Sequence, residues 1–316
     1  MNNDRVICVV GATGSQGSGL VHAILNDTNG GFSVRALTRD INSDKAKELV
    51  KAGAEVVAAN VDDPESLKKA FAGAYGVFCI TFFWEHFSPD QEQAQAKAMA
   101  EAAKHAGVQH VIWSTLEDTR KWVPVSDDRM PTLQDKYKVP HFDAKGEANK
   151  FFTDLDLPVT LLNTSFYWEN FIYFGLGPKK GPDGKYAITF PMGDKKLPGI
   201  CAGDIGKCAY SIFKSGDEYI GKTLGISGEH LSGSQMSEAL SEALGVDVSY
   251  NDVPPEVYRG FGFPGADDMG NMFQFKRDFE QEFTAGRDPE VARSLNPSLK
   301  NFKTWLNDNK QLIPLD

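Results

Sequence analysis

The chain has 316 residues, 41% hydrophobic and 24% charged, an ordinary globular balance with apolar material for one large domain or two moderate ones. Its 33 Lys and Arg against 43 Asp and Glu leave a net charge of −10, which opposes direct binding to nucleic acid or an anionic membrane surface. No apolar run approaches the ~18 residues of a membrane helix, MNNDRVICVV lacks a signal peptide's basic start, and the four cysteines show no CxxC spacing, so a reducing, cytoplasmic compartment and no metal centre are expected.

Residues 5–10, RVICVV, form a short apolar run that meets glycine at once, the pattern of a strand buried on both faces. From Gly11 to Asn26 the spacing of Leu20, Ala23, Ile24 and Leu25 is helical. Further strands are expected over 33–38, 55–59, 77–82, 110–115 and 159–163. Between them lie helices over 43–52, with Ser43 or Asp44 as cap, 64–72 with proline in the first turn, 88–106 ending at Gly107, and 141–155. This alternation predicts an α/β fold, a Rossmann-type doubly wound parallel sheet over residues 1–160. After 164 the rhythm breaks. PDGK at 182–185 reads as a turn between short strands, and 203–214, 234–244 and 289–308 read as helices. With no second glycine-rich crossover, residues 161–316 are expected to form a smaller C-terminal α/β lobe, interleaved with the sheet, for a substrate or partner.

The first strand ends in GATGSQG, placing Gly11, Gly14 and Gly17 before a helix. The first glycine permits the turn, the second lets the backbone approach a pyrophosphate, and the third lets the helix sit close to the sheet. Gly11, Ala12, Thr13, Gly14, Ser15, Gln16 and Gly17 are therefore the expected phosphate loop. Strand two ends Leu37-Thr38-Arg39-Asp40. A carboxylate at that end selects NAD through the adenosine 2′-hydroxyl, whereas a guanidinium suits the 2′-phosphate of NADP(H). Arg39, with Thr38 adding a bond, favours NADP(H), and Asp40 one residue later is the competing signal. Asn60 and Val61 at the end of strand three are placed to flank adenine. Thr81 and Phe82 end strand four, where the ligand crevice of such a sheet lies.

Strand five ends Val111-Ile112-Trp113-Ser114-Thr115, and the next helix opens His141-Phe142-Asp143-Ala144-Lys145. This resembles the short-chain dehydrogenase/reductase superfamily, whose serine and Y-x-x-x-K supply a proton relay. Ser114 and Lys145 are in register, but histidine holds the tyrosine's place, so His141, Lys145 and Ser114 are catalytic candidates only if the protein is an enzyme. His141 reads either as a proton donor or cofactor contact, or as a polar first-turn residue behind Pro140. Tyr210 and Lys214 repeat the Y-x-x-x-K spacing beyond strand six, in a segment with the pattern of a packing helix. The stretch from Asp118 to Val139 is polar and long for an ordered loop, with the length to close over a cofactor.

GATGSQG, ITFFWE at 80–85, HFDAKGE at 141–147, FYWENF at 166–171, PDGK and GFPGADDMGNMFQF at 262–275 together resemble the NmrA-like family of atypical short-chain dehydrogenases, its redox-sensor branch above all, over nearly the whole chain. The resemblance implies an NADP-binding Rossmann domain, weak or absent dehydrogenase activity, and sensing of the NADPH/NADP balance through protein partners. It places Gly11 to Gln16 on the pyrophosphate, Arg39 on the 2′-phosphate, Lys145 on the nicotinamide ribose, and Ser165, Phe166 and Tyr167 at the nicotinamide end. Asn60 stands where aspartate is common. The expected partners are proteins that respond to cofactor state and a second copy of the chain, with a cytoplasmic location extending to the nucleus. The alternative is an NADPH-dependent reductase of a small carbonyl, quinone or imine, with Phe82, Phe83, Trp84, Tyr167 and Trp168 either walling the substrate or packing the core.

Overall fold

In the computed structural model, which describes residues 5–315, the strand–helix alternation is present. Arg5–Val9 (β1), Ser15–Asn26 (α1), Phe32–Thr38 (β2), Asp44–Ala52 (α2), Glu55–Ala58 (β3), Pro64–Phe71 (α3), Gly76–Cys79 (β4), Pro89–Ala106 (α4), His110–Thr115 (β5), Pro140–Thr153 (α5) and Val159–Asn163 (β6) follow in order. Short polar side chains set the helix starts. The Ser43 hydroxyl accepts from the N–H of Ala46 and so decides the cap of α2, and Ser88 caps α4, which Gly107 closes in the left-handed conformation.

The sheet runs Thr223–Gly225, β6, β5, β4, β1, β2, β3, with β1 to β6 parallel. The edge strand Thr223–Gly225 is an addition to the six expected. The order reverses between β1 and β4, so the loops leaving their C-terminal ends diverge and open a crevice. β4 and β5 are buried along their whole length, as central parallel strands must be. Ala96, Met99, Ala100 and Ala103 of α4 share one core with Val77, Cys79, Val111 and Trp113; small residues at such contacts allow close helix approach.

The chain divides into two compact units. The first holds residues up to Asp118 together with Ala144–Asn163 and Gly203–Leu224; the second holds Thr119–Asp143, Thr164–Ala202 and the chain from Gly225 onward. In the first unit, helix Ala202–Lys214 explains the second Y-x-x-x-K: the Tyr210 hydroxyl and the Lys214 ammonium both donate to Asp27 Oδ2, at 3.0 and 3.2 Å. Burial and that bond to Asp27 push the Tyr210 phenol upward, away from proton-donor duty.

In the second unit, Phe166–Tyr167, Lys196–Ile200 and Glu229–Ser232 form one three-stranded sheet, and Lys179–Lys180, Tyr186–Phe190 and Val248–Asp252 another. PDGK is the turn between two of these strands, with Gly184 at φ 80. The helix expected over 289–308 is two, Pro289–Leu295 and Phe302–Asn309, because Pro297 cannot continue the first and Asn301 caps the second. Helix Ala266–Asp278 was not expected; it buries Asp268, Asn271, Gln274 and Lys276 along with its aromatics, so it lacks a legible apolar stripe.

The segment between Asp118 and Val139 is held by hydrogen bonds within itself and to Asp143 of α5. Buried Asp143 accepts from Thr119 N and Oγ1 and from the N–H groups of Lys138 and Val139, at 2.6–3.1 Å. The Lys138 ammonium, itself buried, donates to the carbonyls of Asp127 and Met130 at 2.7 Å each. Among the described residues, no helix is long and apolar enough to cross a membrane, and no three His, Cys, Asp or Glu side chains cluster to hold a metal.

Candidate cofactor and active site

Three pieces of the first unit converge on the crevice between β1 and β4. The turn after β1 places Gly11 at φ 65, a left-handed conformation that costs other residues about 1 kcal/mol or more. Gly14 then starts α1 with no side-chain cap, and no acidic residue stands in the first turn. The N-terminal N–H groups of a helix lack intrahelical partners and carry partial positive charge, so this bare end suits an anionic diphosphate. A Cβ on Gly17 would lie 2.3 Å from the Gly11 carbonyl oxygen, so α1 touches the turn through a position only glycine can fill. The Ser114 hydroxyl donates to Gln16 Oε1 at 2.9 Å, both side chains buried. Ser114 thus braces the first turn of α1.

At the end of β2, Arg39 is exposed and ion-paired to Glu85. Asp40 spends Oδ1 on the N–H of Asn42, and the Thr38 hydroxyl exchanges bonds with the Asp40 backbone. Asp40 thus takes part in a local turn through Oδ1, and Arg39 is the cation that this strand end presents. Asn60 lies half-buried after β3, its side chain accepting from the Asp62 N–H, with half-buried Val61 beside it. Phe82 is 53% exposed after β4, which does not fit core packing, whereas Phe83 is buried.

Thr81 and Lys145 meet at a buried carboxylate that the sequence reading did not single out. Lys145 Nζ lies 2.7 Å from Glu92 Oε1 and donates to Thr81 Oγ1 at 2.6 Å, while the Thr81 hydroxyl donates to the same Glu92 oxygen. His86 Nε2 is 3.5 Å from the other Glu92 oxygen. Burial pushes the Glu92 carboxyl up, but the Lys145 charge, the adjacent His86 ring and the bonds from Lys145 and Thr81 outweigh it and hold it at about 2. Because the folded value lies below the ordinary 4.5, the stability that Glu92 supplies is complete above that value and lost as pH falls toward 2. A loss on the order of 3 kcal/mol is expected across this window. Denaturant unfolding from pH 5.5 to 2.5 should show a slope that flattens in Glu92→Gln; equal slopes in both proteins would refute the assignment.

The remaining candidates belong to the second unit. His141 Nδ1 pairs with Asp268 Oδ1 at 2.6 Å, and the His141 N–H donates to Asp268 Oδ2 at 3.1 Å, all of it buried. The Ser165 hydroxyl donates to the Ile226 carbonyl at 2.7 Å, and the Tyr167 oxygen lies 3.5 Å from Thr164 Oγ1. Phe166 packs its ring among Phe171, Phe190 and Phe273, and Trp168 packs against Phe302 and Trp305. These two aromatic side chains are core, and the Phe166 backbone pairs with Gly199 in the three-stranded sheet.

Strand order and the glycine-rich crossover make this a Rossmann-type α/β protein. Within that class, the chain belongs to the NmrA-like family, whose profile matches residues 3–306. It is 30% identical to the NmrA-like family domain-containing oxidoreductase FrzB of a Cladobotryum species over 295 residues, 85% of this chain and 83% of that one. An NmrA-like family domain-containing protein of Dictyostelium discoideum is 29% identical over 312 residues, 96% and 97% of the two chains. Crystal structures of NmrA, a negative transcriptional regulator, in complex with NADP and with NAD share the fold at a TM-score of 0.78 and 25% identity, covering 96% of this chain and 95% of theirs.

Proposed function

We propose that this chain binds NADP(H) and serves as a redox sensor or regulator whose cofactor state is read by a protein partner, with little or no dehydrogenase turnover. One observation carries the reading: the Lys145 ammonium bonds Glu92 and Thr81, with no tyrosine hydroxyl among its partners in the described residues. In a superfamily dehydrogenase this lysine lowers the pKa of the proton-donating tyrosine; on this reading Lys145 has lost that duty and would keep only the contact with the ribose. The bare N-terminus of α1 would hold the pyrophosphate and Arg39 the 2′-phosphate, while Ser165 and Tyr167 would belong to the nicotinamide end. On this reading residues 1–160 are the cofactor domain and 161–316 the partner lobe, working in the cytoplasm and nucleus. NmrA, a regulator solved with NADP, supports it by analogy.

A ligand shifts a conformational equilibrium only by its differential affinity for the two states, so a sensor must respond differently to the two redox forms. Limited proteolysis at saturating NADPH and at saturating NADP+ is expected to give different cleavage rates, with no NADPH consumption over a panel of carbonyls, quinones and imines. Equal cleavage together with steady consumption abolished by Lys145→Ala would replace the sensor with an enzyme. That second reading, an NADPH-dependent reductase, draws on the buried His141–Asp268 pair and on the oxidoreductase naming of FrzB. A bound reduced nicotinamide would supply the hydride, and His141 the proton.

A further inference from the structure

We infer that Glu85 is a specificity-determining residue of the adenosine end, holding Arg39 until a 2′-phosphate displaces it and offering its carboxylate to a 2′-hydroxyl when the phosphate is absent. The inference rests on the reading of Arg39 as the 2′-phosphate contact and goes beyond it. Glu85 closes the short helical turn Phe83–Glu85 after β4, 46 residues from Arg39 in sequence, and its Oε1 accepts from Arg39 Nη1. The two side chains retain 64% and 48% exposure, so the pair is formed at the surface, where a cofactor phosphate reaches it.

Rossmann sites that select NAD place their carboxylate at the end of the second strand. Here arginine stands at that end, Asp40 is turned onto the Asn42 N–H, and a carboxylate arrives instead from the loop after β4. One small site therefore presents both recognition groups, and they neutralise each other. A 2′-phosphate competes for the guanidinium, and its dianion repels Glu85. A 2′-hydroxyl leaves the pair intact and can donate to a carboxylate oxygen. The pair thus narrows the preference that Arg39 alone would give and sets the 2′-phosphate in competition with Glu85 for the guanidinium.

Calorimetric titration of the full chain with NADP+ and with NAD+ tests this in the parent, Glu85→Gln and Arg39→Ala. An exposed ion pair contributes at most about 1 kcal/mol, so Glu85→Gln should tighten NADP+ by about two- to fivefold. It should weaken NAD+ by a similar factor, because an amide oxygen accepts less strongly than a carboxylate. Arg39→Ala should weaken NADP+ by about ten- to a hundredfold and spare NAD+. If Arg39→Ala behaves so and Glu85→Gln leaves the ratio of the two affinities unchanged, the role of Glu85 is refuted and the 2′-phosphate site stands. Equal weakening of both cofactors by Arg39→Ala would remove the site and the inference together.

Discussion

Replacing Gly14 with valine is expected to abolish NADP(H) binding while the protein still folds. Gly14 has φ −87 and ψ 172, an extended conformation open to any residue. A Cβ there would sit 3.2 Å from the Gly11 carbonyl oxygen, tight enough to require a shift of a few tenths of an ångström and no more. The cost falls on the ligand side, where the branched side chain stands between the α1 N–H groups and a pyrophosphate that must approach to hydrogen-bond distance. Gly17→Ala is the contrasting variant. Its Cβ would meet Gly11 O at 2.3 Å and Ala12 Cα at 2.9 Å, backbone that cannot give way, so the helix must back off its turn at a cost of about 1–3 kcal/mol or more. Calorimetry and thermal melts on the two variants should separate the effects: Gly14→Val loses binding at near-parental stability, and Gly17→Ala loses stability. Normal NADP binding by Gly14→Val would show that the first crossover is not a phosphate loop.

That contrast marks what a sequence discloses about such a site. The glycine spacing, Thr38 at the end of β2, Thr81 two residues beyond β4 (which stops at Cys79, short of the expected end at Phe82), and the register of Ser114 and Lys145 are local features. The groups that complete the chemistry are distant in sequence. Glu92 reaches Lys145 from α4, Glu85 reaches Arg39 from the loop after β4, and Asp268 reaches His141 across 127 residues. A lone acid in a helix reads as a solvated surface charge, and nothing in periodicity assigns it a cation. Two of the three do lie in segments whose residues a generic sheet does not explain: Glu85 ends ITFFWE, and Asp268 lies within GFPGADDMGNMFQF. Glu92, in an alanine- and glutamine-rich helix, carries no such signal. The same cause hid helix Ala266–Asp278. Its buried face mixes Asn271 and Gln274, which bond the carbonyls of Pro131, Lys138 and Arg129, with Met272, Phe273 and Phe275. An apolar stripe records burial only where burial is apolar, and here the helix serves as a hydrogen-bonding template for the segment between Asp118 and Val139.

His141→Ala separates the two functional readings by the largest factor. A positioned general acid typically contributes 10²- to 10⁴-fold to rate, so a reductase that draws its proton from His141 should lose turnover on that scale with NADP(H) affinity unchanged. Asp268 supplies the control. Its carboxylate fixes the imidazole through Nδ1 and also accepts the backbone N–H at the start of α5, where a negative charge near a helix N-terminus is favourable. Asp268→Asn keeps the shape and an acceptor but removes the charge that stabilises an imidazolium, so in an enzyme it should lower turnover less than His141→Ala does. In a sensor the same pair is a clasp within the second unit. His141→Ala then breaks the side-chain bond and leaves the backbone bond, costing stability but neither turnover, which is absent to begin with, nor cofactor affinity, which on the proposed reading comes from Arg39 and Lys145. Parental turnover that disappears in His141→Ala would overturn the sensor reading. An NADPH-inert parent, with NADP affinity preserved in His141→Ala and reduced in Lys145→Ala, is the result expected of a chain that keeps its cofactor contacts and has lost the hydroxyl.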